Sequence, residues 1–594
     1  MQREVRKTVS VVFSDVAGST ALAEQLDPES LRRAMTRYFE VARRVHERHG
    51  GVVEKFIGDA VMAVFGIPHA HEDDALRAVR AAWELRRAMA ALNRELEREL
   101  EVVLPVRTGV NTGLVLAGDE QAGHAFVGGD TVNVAARLER AAGAGEVLLG
   151  EATYRLVADA VRVDPVGPFV PRGRSAPVAA YRLLEVTPGA AGLSRRLDTP
   201  LVGRTVELAV LDRALDQAIA RRACELLTVA GDPGVGKSRL LRAFAERAGK
   251  RALVLYGGCP PHGQATIGQV VGQLLARATA LAPAGDGLAA DPPAAFREVR
   301  RLLEELARTR PVVVVLDDLH SAEPALLDLV EYLHAFAGGA ALLVAATRRQ
   351  LLDRRPRWTA GSTLFLEPLP AADAAELAAS LCRPRGLDPG TRERIAAWAE
   401  GNPLFIEELL RSLERGLGEA GAGLAPPAQV EEMPLPPAVE ALVGAELDRL
   451  PPDERTVLEL ASVVGRLFDW ASVAALAPTE LRPRVGAVLL ALARRNLIRV
   501  ADRALGEDAF SFRHGLLRDA AYRAIPKRAR AVLHVSVAQR LGEAAGGGGF
   551  EEDEAVGRHL GLAYRCLAQL AGDAFPRPVP VVAPMQLPHA GTTA

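Results

Sequence analysis

Apolar and polar positions change rhythm along the chain, and three stretches stand apart on that basis alone. In the first, the β-rich run Thr8–Ser14 predicts a strand and Pro28–His49 a helix. Val52–Ile57 and Ala60–Phe65 are separated by Gly58-Asp59, a Gly-X pair of the kind that closes a hairpin through a II′ turn. His71–Leu100, rich in Ala, Arg, Leu and Glu, keeps its apolar residues near a 3.6 period and predicts a long helix. A strand at Val106–Thr112, a Gly-rich loop at Gly118–Gly129, a helix at Thr131–Ala142 and strands at Val147–Leu149 and Ala180–Val186 follow. Strands and helices mixed around a hairpin predict an α+β domain over residues 1–186, with a Pro/Gly/Ser linker at 187–200.

The second stretch, 201–415, alternates strands Leu226–Ala230, Ala252–Tyr256, Val312–Leu316 and Ala341–Ala346 with helices, beginning with Ser238–Ala248. That rhythm predicts a doubly wound parallel sheet, followed by helices over Ala371–Leu413. Residues 416–436, rich in Gly, Ala, Pro and Glu, predict a linker. The third stretch, 437–545, is mostly helical with a strand pair at Leu497–Val500 and Ala509–Arg513, a winged-helix-like pattern. Residues 546–594 predict one helix, Glu551–Ala571, without a visible partner, then a Pro-rich tail; a helical repeat array would begin in such a place. The fold class is multidomain α/β.

Composition narrows the classes. A chain of 594 residues has room for several domains with large cores. Its 72 basic and 74 acidic residues, net charge -2, exclude a globally basic nucleic-acid or membrane-surface binder. Cys224, Cys259, Cys382 and Cys566 are far apart with no CxxC pair, which excludes a disulfide scaffold and a Cys-based zinc module. The charged start Met1–Lys7, with Asp15 interrupting the next apolar run, predicts no signal peptide. Apolar runs such as Val312–Leu316 fall far short of the roughly 18 residues of a membrane span. A cytoplasmic protein with no membrane partner is expected. Lysine is scarce, 5 residues among the 72 cations, so Lys55 and Lys237 stand out by falling inside motifs.

Asp15 ends an apolar strand in Phe13-Ser14-Asp15-Val16-Ala17-Gly18-Ser19-Thr20, and Asp59 sits at the tip of the neighbouring hairpin in Glu54–Ala60. Two carboxylates on adjacent strand ends can hold a pair of divalent ions, which lower the pKa of an attacking hydroxyl and neutralise a triphosphate. Asn133 and Arg137, at i and i+4, share one helix face, where an arginine can stabilise charge developing on phosphorus.

At these residues the segment resembles the class III adenylyl and guanylyl cyclases over about residues 5–185, through Phe13–Thr20, Glu54–Phe65, Arg107–Asp119 and Gly129–Glu139. The resemblance implies a ferredoxin-like α+β cyclase domain, in which Asp15 and Asp59 hold two Mg²⁺ or Mn²⁺ ions and Lys55 reads the purine. It further implies that Asn133 orients the ribose, Arg137 stabilises the transition state, and Arg172 or Arg174 contacts the triphosphate. The implied reaction is attack of the ATP 3′-hydroxyl on the α-phosphorus with release of pyrophosphate. Because the family builds its sites across a dimer, one domain per chain implies a homodimer. One position departs from the pattern: Phe126 stands where the family places a second purine-selecting Asp or Thr, and it can neither accept nor donate a hydrogen bond there.

Gly231-Asp232-Pro233-Gly234-Val235-Gly236-Lys237-Ser238 is a complete GxxxxGK[ST] placed after a predicted strand and opening a helix. Its backbone N–H groups are expected to cradle phosphates, Lys237 to reach the terminal ones and Ser238 to ligate Mg²⁺. The apolar run Val312–Leu316 ends in Asp317, a Mg²⁺ candidate, and Asp318, a water-positioning candidate. Together with Leu201–Arg204, Asp317–His320 and Gly401–Leu409, these strings look like the STAND branch of the AAA-related signalling ATPases over about 198–545. That likeness implies a nucleotide-driven switch between closed and open forms, with Thr347 and Arg348 reading the γ-phosphate and Pro403 near the nucleotide. It also implies that the winged-helix-like segment packs on the ATPase core, so DNA is not an expected partner.

The sequence therefore predicts a signalling enzyme that converts ATP to cyclic AMP under control of an ATPase module, which answers to an unidentified activating protein or small molecule. Two alternatives are a nucleotide-switched scaffold with a non-catalytic cyclase fold, which Phe126 favours, and a transcription regulator.

Overall fold

Val5–Val16 (β1) is apolar on both faces because it lies inside its sheet, between Ala60–Phe65 (β3) and Val106–Ala117 (β4), antiparallel to both. Val9, Val11 and Phe13 face one side, while Val12 and Val16 join the main core on the other. The computed structural model describes residues 5–19, 22, 24, 26–118, 127–169, 178–187, 201–259, 292–355, 358, 361–382, 389–419, 435–501, 509–544 and 550–571. Phe126, Arg172 and Arg174, most of the Gly-rich loop at 118–129 and of the two linkers, and the Pro-rich tail lie outside the described residues.

The first sheet runs in the order Val52–Ile57 (β2), β3, β1, β4, Val147–Gly150 (β6), Val178–Val186 (β8), Val161–Phe169 (β7), with the short Val127–Gly128 (β5) on β4. Pro28–Arg48 (α1) and Asp74–Leu100 (α2) cover one face through Ala34, Tyr38, Ala42, Leu76, Val79 and Leu85. Asp130–Ala141 (α3) covers the other. It lies directly on β4 because Gly109 carries no side chain: a Cβ there would stand 2.3 Å from the Glu139 nitrogen and 2.4 Å from the Ala135 oxygen. Glu151–Val157 (α4) follows β6. The strand β7 had no clear sequence signal, since Pro165, Gly167 and Pro168 interrupt it; its edge position makes them tolerable. The expected helix at His71–Leu100 starts later, at Asp74, leaving residues 66–73 as a connecting segment.

His46 on α1 is fully buried beside the Phe65 ring, with no hydrogen-bond partner among the described residues at either ring nitrogen. Burial, helped by His49, pushes its pKa down to about 3 from 6.5. The unfolded chain takes up the proton first, so this contribution to stability is complete above pH 6.5 and is lost as the pH falls toward about 3. The expected slope is up to about 1.4 kcal/mol per pH unit across that window. Denaturant titrations at several pH values should show a flatter acid limb in His46→Leu.

The second sheet is all-parallel in the order Leu253–Gly258 (β10), Val312–Asp317 (β11), Ala341–Thr347 (β12), Cys224–Gly231 (β9), Ser362–Leu366 (β13). Thr205–Arg221 (α5), Lys237–Ala248 (α6), Pro292–Thr309 (α7) and Pro324–Phe336 (α8) cover its faces. The strand β13 escaped prediction because Ser362–Leu366 is short and isolated in sequence; it is recognisable only as the partner of β9. Arg349–Arg354 (α9), Ala371–Cys382 (α10), Pro389–Trp398 (α11) and Pro403–Glu419 (α12) follow. The last runs past the expected linker boundary at 416.

Helices Pro437–Asp448 (α13), Pro452–Val464 (α14), Trp470–Leu476 (α15), Val485–Arg494 (α16) and Gly515–Ala524 (α17) share one core with α10–α12. The expected strand pair is part of a three-stranded antiparallel sheet in the order Leu467–Asp469 (β14), Ala509–Phe512 (β16), Ile498–Val500 (β15). The terminal helix Phe550–Ala571 (α19) does have a partner, contrary to expectation. It packs along Lys527–Ala544 (α18), with Ala563 and Cys566 against Ala531 and His559 Nδ1 2.9 Å from His534 Nδ1.

Two candidate nucleotide sites

At one end of the first sheet, β1 carries Asp15 and the β2–β3 turn carries Asp59 beside Gly58 at φ 65°. Pairing of β1 with β4 sets Asp15 opposite Arg107, whose guanidinium donates to Asp15 Oδ2 at 2.8 Å. The same guanidinium lies 2.6 Å from Glu139 on α3. Burial raises the pKa of Asp15; the nearby Asp59 carboxylate raises it further, and Arg107 opposes both. Burial pushes Glu139 up to about 7, against the pull of Arg107. Asp59 Oδ2 is buried with no hydrogen-bond donor among the described residues.

Two carboxylates brought together at a cost, one with an acceptor atom that nothing among the described residues satisfies, fit a divalent cation. Among the described residues no group of three His, Cys, Asp or Glu forms a metal cage, so the remaining ligands would come from substrate oxygens and water. Lys55, on the exposed strand β2 just after a register shift at Val53/Lys55, stands 3.9 Å from Glu54 Oε1. Asn133 is exposed and Arg137 half-buried on α3, one turn apart. Arg107 and Glu139 fell within the quoted strings but had no assigned role; only the strand register reveals their bridge. In Arg107→Leu, the Asp15 and Glu139 carboxylates lose their shared cation. The half-buried pair is expected to cost about 1–2 kcal/mol of stability, partly restored by Mn²⁺ in thermal unfolding curves.

The second site lies at the end of β9, where Gly234 at φ 78° and Gly236 at φ 100° turn the loop into α6. Lys237 is buried and donates to the carbonyl oxygens of Gly231 and Asp232, both at 2.9 Å. Pro233, Gly234, Val235, Gly236, Lys237 and Ser238 line a cavity together with Asp318, His320, Arg348 and Pro403. Asp232 turns elsewhere, toward Arg513 at 3.4 Å and Arg349 at 3.6 Å. Asp317, at the end of β11, accepts from the Tyr256 hydroxyl at 2.8 Å and from the Asp318 N–H at 3.0 Å. Thr347 is fully buried at the end of β12, opposite Ala230, and does not line the cavity; Arg348 does.

Two supporting residues had no role assigned from sequence. Arg204 donates to the oxygens of Val235 at 3.2 Å and Glu367 at 2.6 Å, fastening the loop to β13. Asn402 donates to Pro233 O at 3.0 Å and accepts from the Leu404 N–H at 3.1 Å, so one side chain caps α12 and holds the phosphate loop. Burial, helped by Arg348, pushes His320 down to about 3, which leaves a neutral imidazole in the cavity wall.

Residues 1–184 match the family model of the adenylate and guanylate cyclase catalytic domain, and residues 200–344 that of the AAA ATPase domain. An uncharacterised protein of Rhizobium meliloti (strain 1021) is 27% identical over 91% of this chain and 57% of its own length. Adenylate cyclase 1 of the same organism is 29% identical over 30% of this chain and 28% of its own length. The chain thus spans little more than half of the first relative and about a quarter of the second. The solved adenylyl cyclase CyaB from P. aeruginosa is 33% identical, covering 32% of this chain and 100% of that one, with a TM-score of 0.30. No helix among the described residues is long and apolar enough to cross a membrane. The chain thus joins a stretch similar to the adenylate and guanylate cyclase catalytic domain, residues 1–184, to one similar to the AAA ATPase domain, residues 200–344.

Proposed function

We propose that the protein is a signal-transduction adenylate cyclase, making cyclic AMP and pyrophosphate from ATP in a homodimer under control of a STAND-type ATPase module. The observation that carries this reading is the convergence of Asp15 and Asp59, with the buried Asp59 Oδ2 lacking a donor among the described residues. When bound there, Mg²⁺ or Mn²⁺ supplies charge neutralisation for the triphosphate and a lowered pKa for the 3′-hydroxyl. Arg107 holds Asp15 in place and keeps its charge balanced. Arg137 lies on a helix fixed against β4, so its guanidinium needs little reorganisation to meet charge growing on the α-phosphate. Asn133, a turn earlier, is set to hold the ribose, and Lys55 to read the adenine. Arg172 would contact the triphosphate.

Phe56 and Ile57, exposed beside Lys55, supply an apolar surface that a second copy would cover. In the ATPase module Lys237 and Ser238 serve the phosphates and Mg²⁺, Asp317 supports the metal and Asp318 positions water. Arg348 reads the terminal phosphate and Pro403 borders the nucleotide, while the winged-helix-like unit over 437–545 packs on the core. A second reading, a nucleotide-switched scaffold with a silent cyclase fold, is favoured by Phe126.

One experiment separates the two. Asp59→Ala and Arg137→Ala chains, each inactive alone, are mixed and supplied with ATP or GTP and Mg²⁺ or Mn²⁺, with products resolved by chromatography and mass. Cyclic product returning on mixing supports catalysis across a dimer, since one of the two sites is then intact. No cyclic product from the unmutated protein with either metal supports the scaffold.

A further inference from the structure

The phosphate-loop cavity is lined in part by a side chain from the cyclase-like unit, Glu72. Glu72 lies in the connection between β3 and α2, and its carboxylate meets Arg348 at 2.5 Å, with side chains only 15% and 8% exposed. Both line the cavity formed by Lys237, Ser238 and Asp318. Glu72, Lys237, Asp318 and Arg348 all line this one cavity beside His320. An arginine fork binds a carboxylate and a phosphate through the same geometry, so Glu72 sits where an anionic ligand of Arg348 belongs.

The segment bearing Glu72 is pinned at a second point. Two residues earlier, the Ala70 N–H donates to Asp448 Oδ2 at 3.0 Å. Lys7 on β1 pairs with the same carboxylate at 2.8 Å, and Arg455 holds its other oxygen. Asp448 is the last residue of α13, in the core shared with α12, whose first residue Pro403 borders the nucleotide cavity. The connection at 66–73 is therefore held by the ATPase sheet on one side and by the helical unit on the other.

We propose that Glu72 is an internal stand-in for the terminal phosphate of a nucleoside triphosphate. With a diphosphate or no nucleotide bound, it holds Arg348 and docks the cyclase domain on the ATPase. A triphosphate takes Arg348, and the 66–73 segment loosens. This deepens the reading above and rests on Arg348 as the residue that meets the terminal phosphate. By linkage, docking lowers triphosphate affinity by the same factor by which triphosphate weakens docking. A diphosphate, which does not reach Arg348, is indifferent to it.

The test measures binding of ATPγS and ADP with Mg²⁺ to the full chain, with Lys237→Ala as the background for sites other than the phosphate loop. In Glu72→Gln, ATPγS affinity should rise about tenfold while ADP affinity stays within about twofold. Hydrogen exchange in peptides spanning 66–75 should quicken when ATPγS is added to the unmutated protein, and should already be quick in Glu72→Gln. Asp448→Asn, outside the phosphate cavity, should shift both readouts in the same direction by less. ATPγS and ADP affinities that move together, or not at all, overturn the proposal. Should Glu72→Gln fail to fold, the double reversal Glu72→Arg with Arg348→Glu carries the test: it should restore slow exchange and make it insensitive to ATPγS, and fast exchange there overturns the proposal. Arg348→Ala separates the two levels of inference. If it erases discrimination between ATPγS and ADP while Glu72→Gln does nothing, the clamp falls and the role of Arg348 stands. If it leaves discrimination intact, the role of Arg348 falls as well.

Discussion

Asp59→Ala should abolish cyclic-nucleotide formation, by about 100-fold or more, while nucleotide binding at the phosphate loop is unchanged. Asp59 sits in a two-residue turn whose backbone is set by Gly58 and by pairing of Ile57 with Ala60, so the substitution removes charge without disturbing the hairpin. Its carboxylate raises the proton affinity of Asp15, an unfavourable meeting of like charges that a bound cation relieves. Removing it leaves Asp15 paired to Arg107 with too little negative charge to hold a divalent ion. The loss of a preorganised electrostatic group commonly costs about 100- to 1,000-fold in rate. Steady-state rates with Mn²⁺ and ATP check this. The protein should unfold no more easily than wild type without metal, because a like-charge contact has been removed. An inactive but strongly destabilised variant would count against the metal reading.

Lys237→Ala should weaken nucleotide binding at the second site about 100-fold and lower cyclic product several-fold, although the two sites share no residue. In this structure the ammonium satisfies itself on the Gly231 and Asp232 carbonyls, which bends the loop around it. A charge-assisted hydrogen bond to phosphate in a shielded cavity is worth roughly 1.5–3 kcal/mol, and the variant loses it outright. The loop itself should survive, since Asn402 and Arg204 tie it to α12 and β13 independently of Lys237. Titration with a fluorescent ATP analogue gives the first number and product analysis the second. Equal cyclic product from both proteins would mean that the ATPase does not control the cyclase.

Much of both sites was legible from strings of residues. The phosphate loop is a local device: the glycines, the lysine and the helix start all act within eight positions, so spacing carries the geometry. The hairpin that lifts Asp59 is local for the same reason, because a two-residue loop between apolar runs admits few conformations. The strand β13, the partner of α19 and the role of Arg107 were not legible. Each depends on what packs beside it, and no periodicity in Ser362–Leu366 or Arg107 reports a neighbour far along the chain.

The same division separates chemistry from control. Short strings were enough to point to the strand end bearing Asp15, the hairpin tip bearing Asp59 and a candidate phosphate loop, because turns and helix ends encode themselves locally. Nothing in Gly66–Asp73 distinguishes it from an ordinary connection between a strand and a helix. Only the tertiary structure sets Glu72 against Arg348, 276 positions later, and Ala70 against Asp448, 378 positions later. Contacts between units follow from how three cores pack together, and that packing is decided by buried surfaces spread over the whole chain.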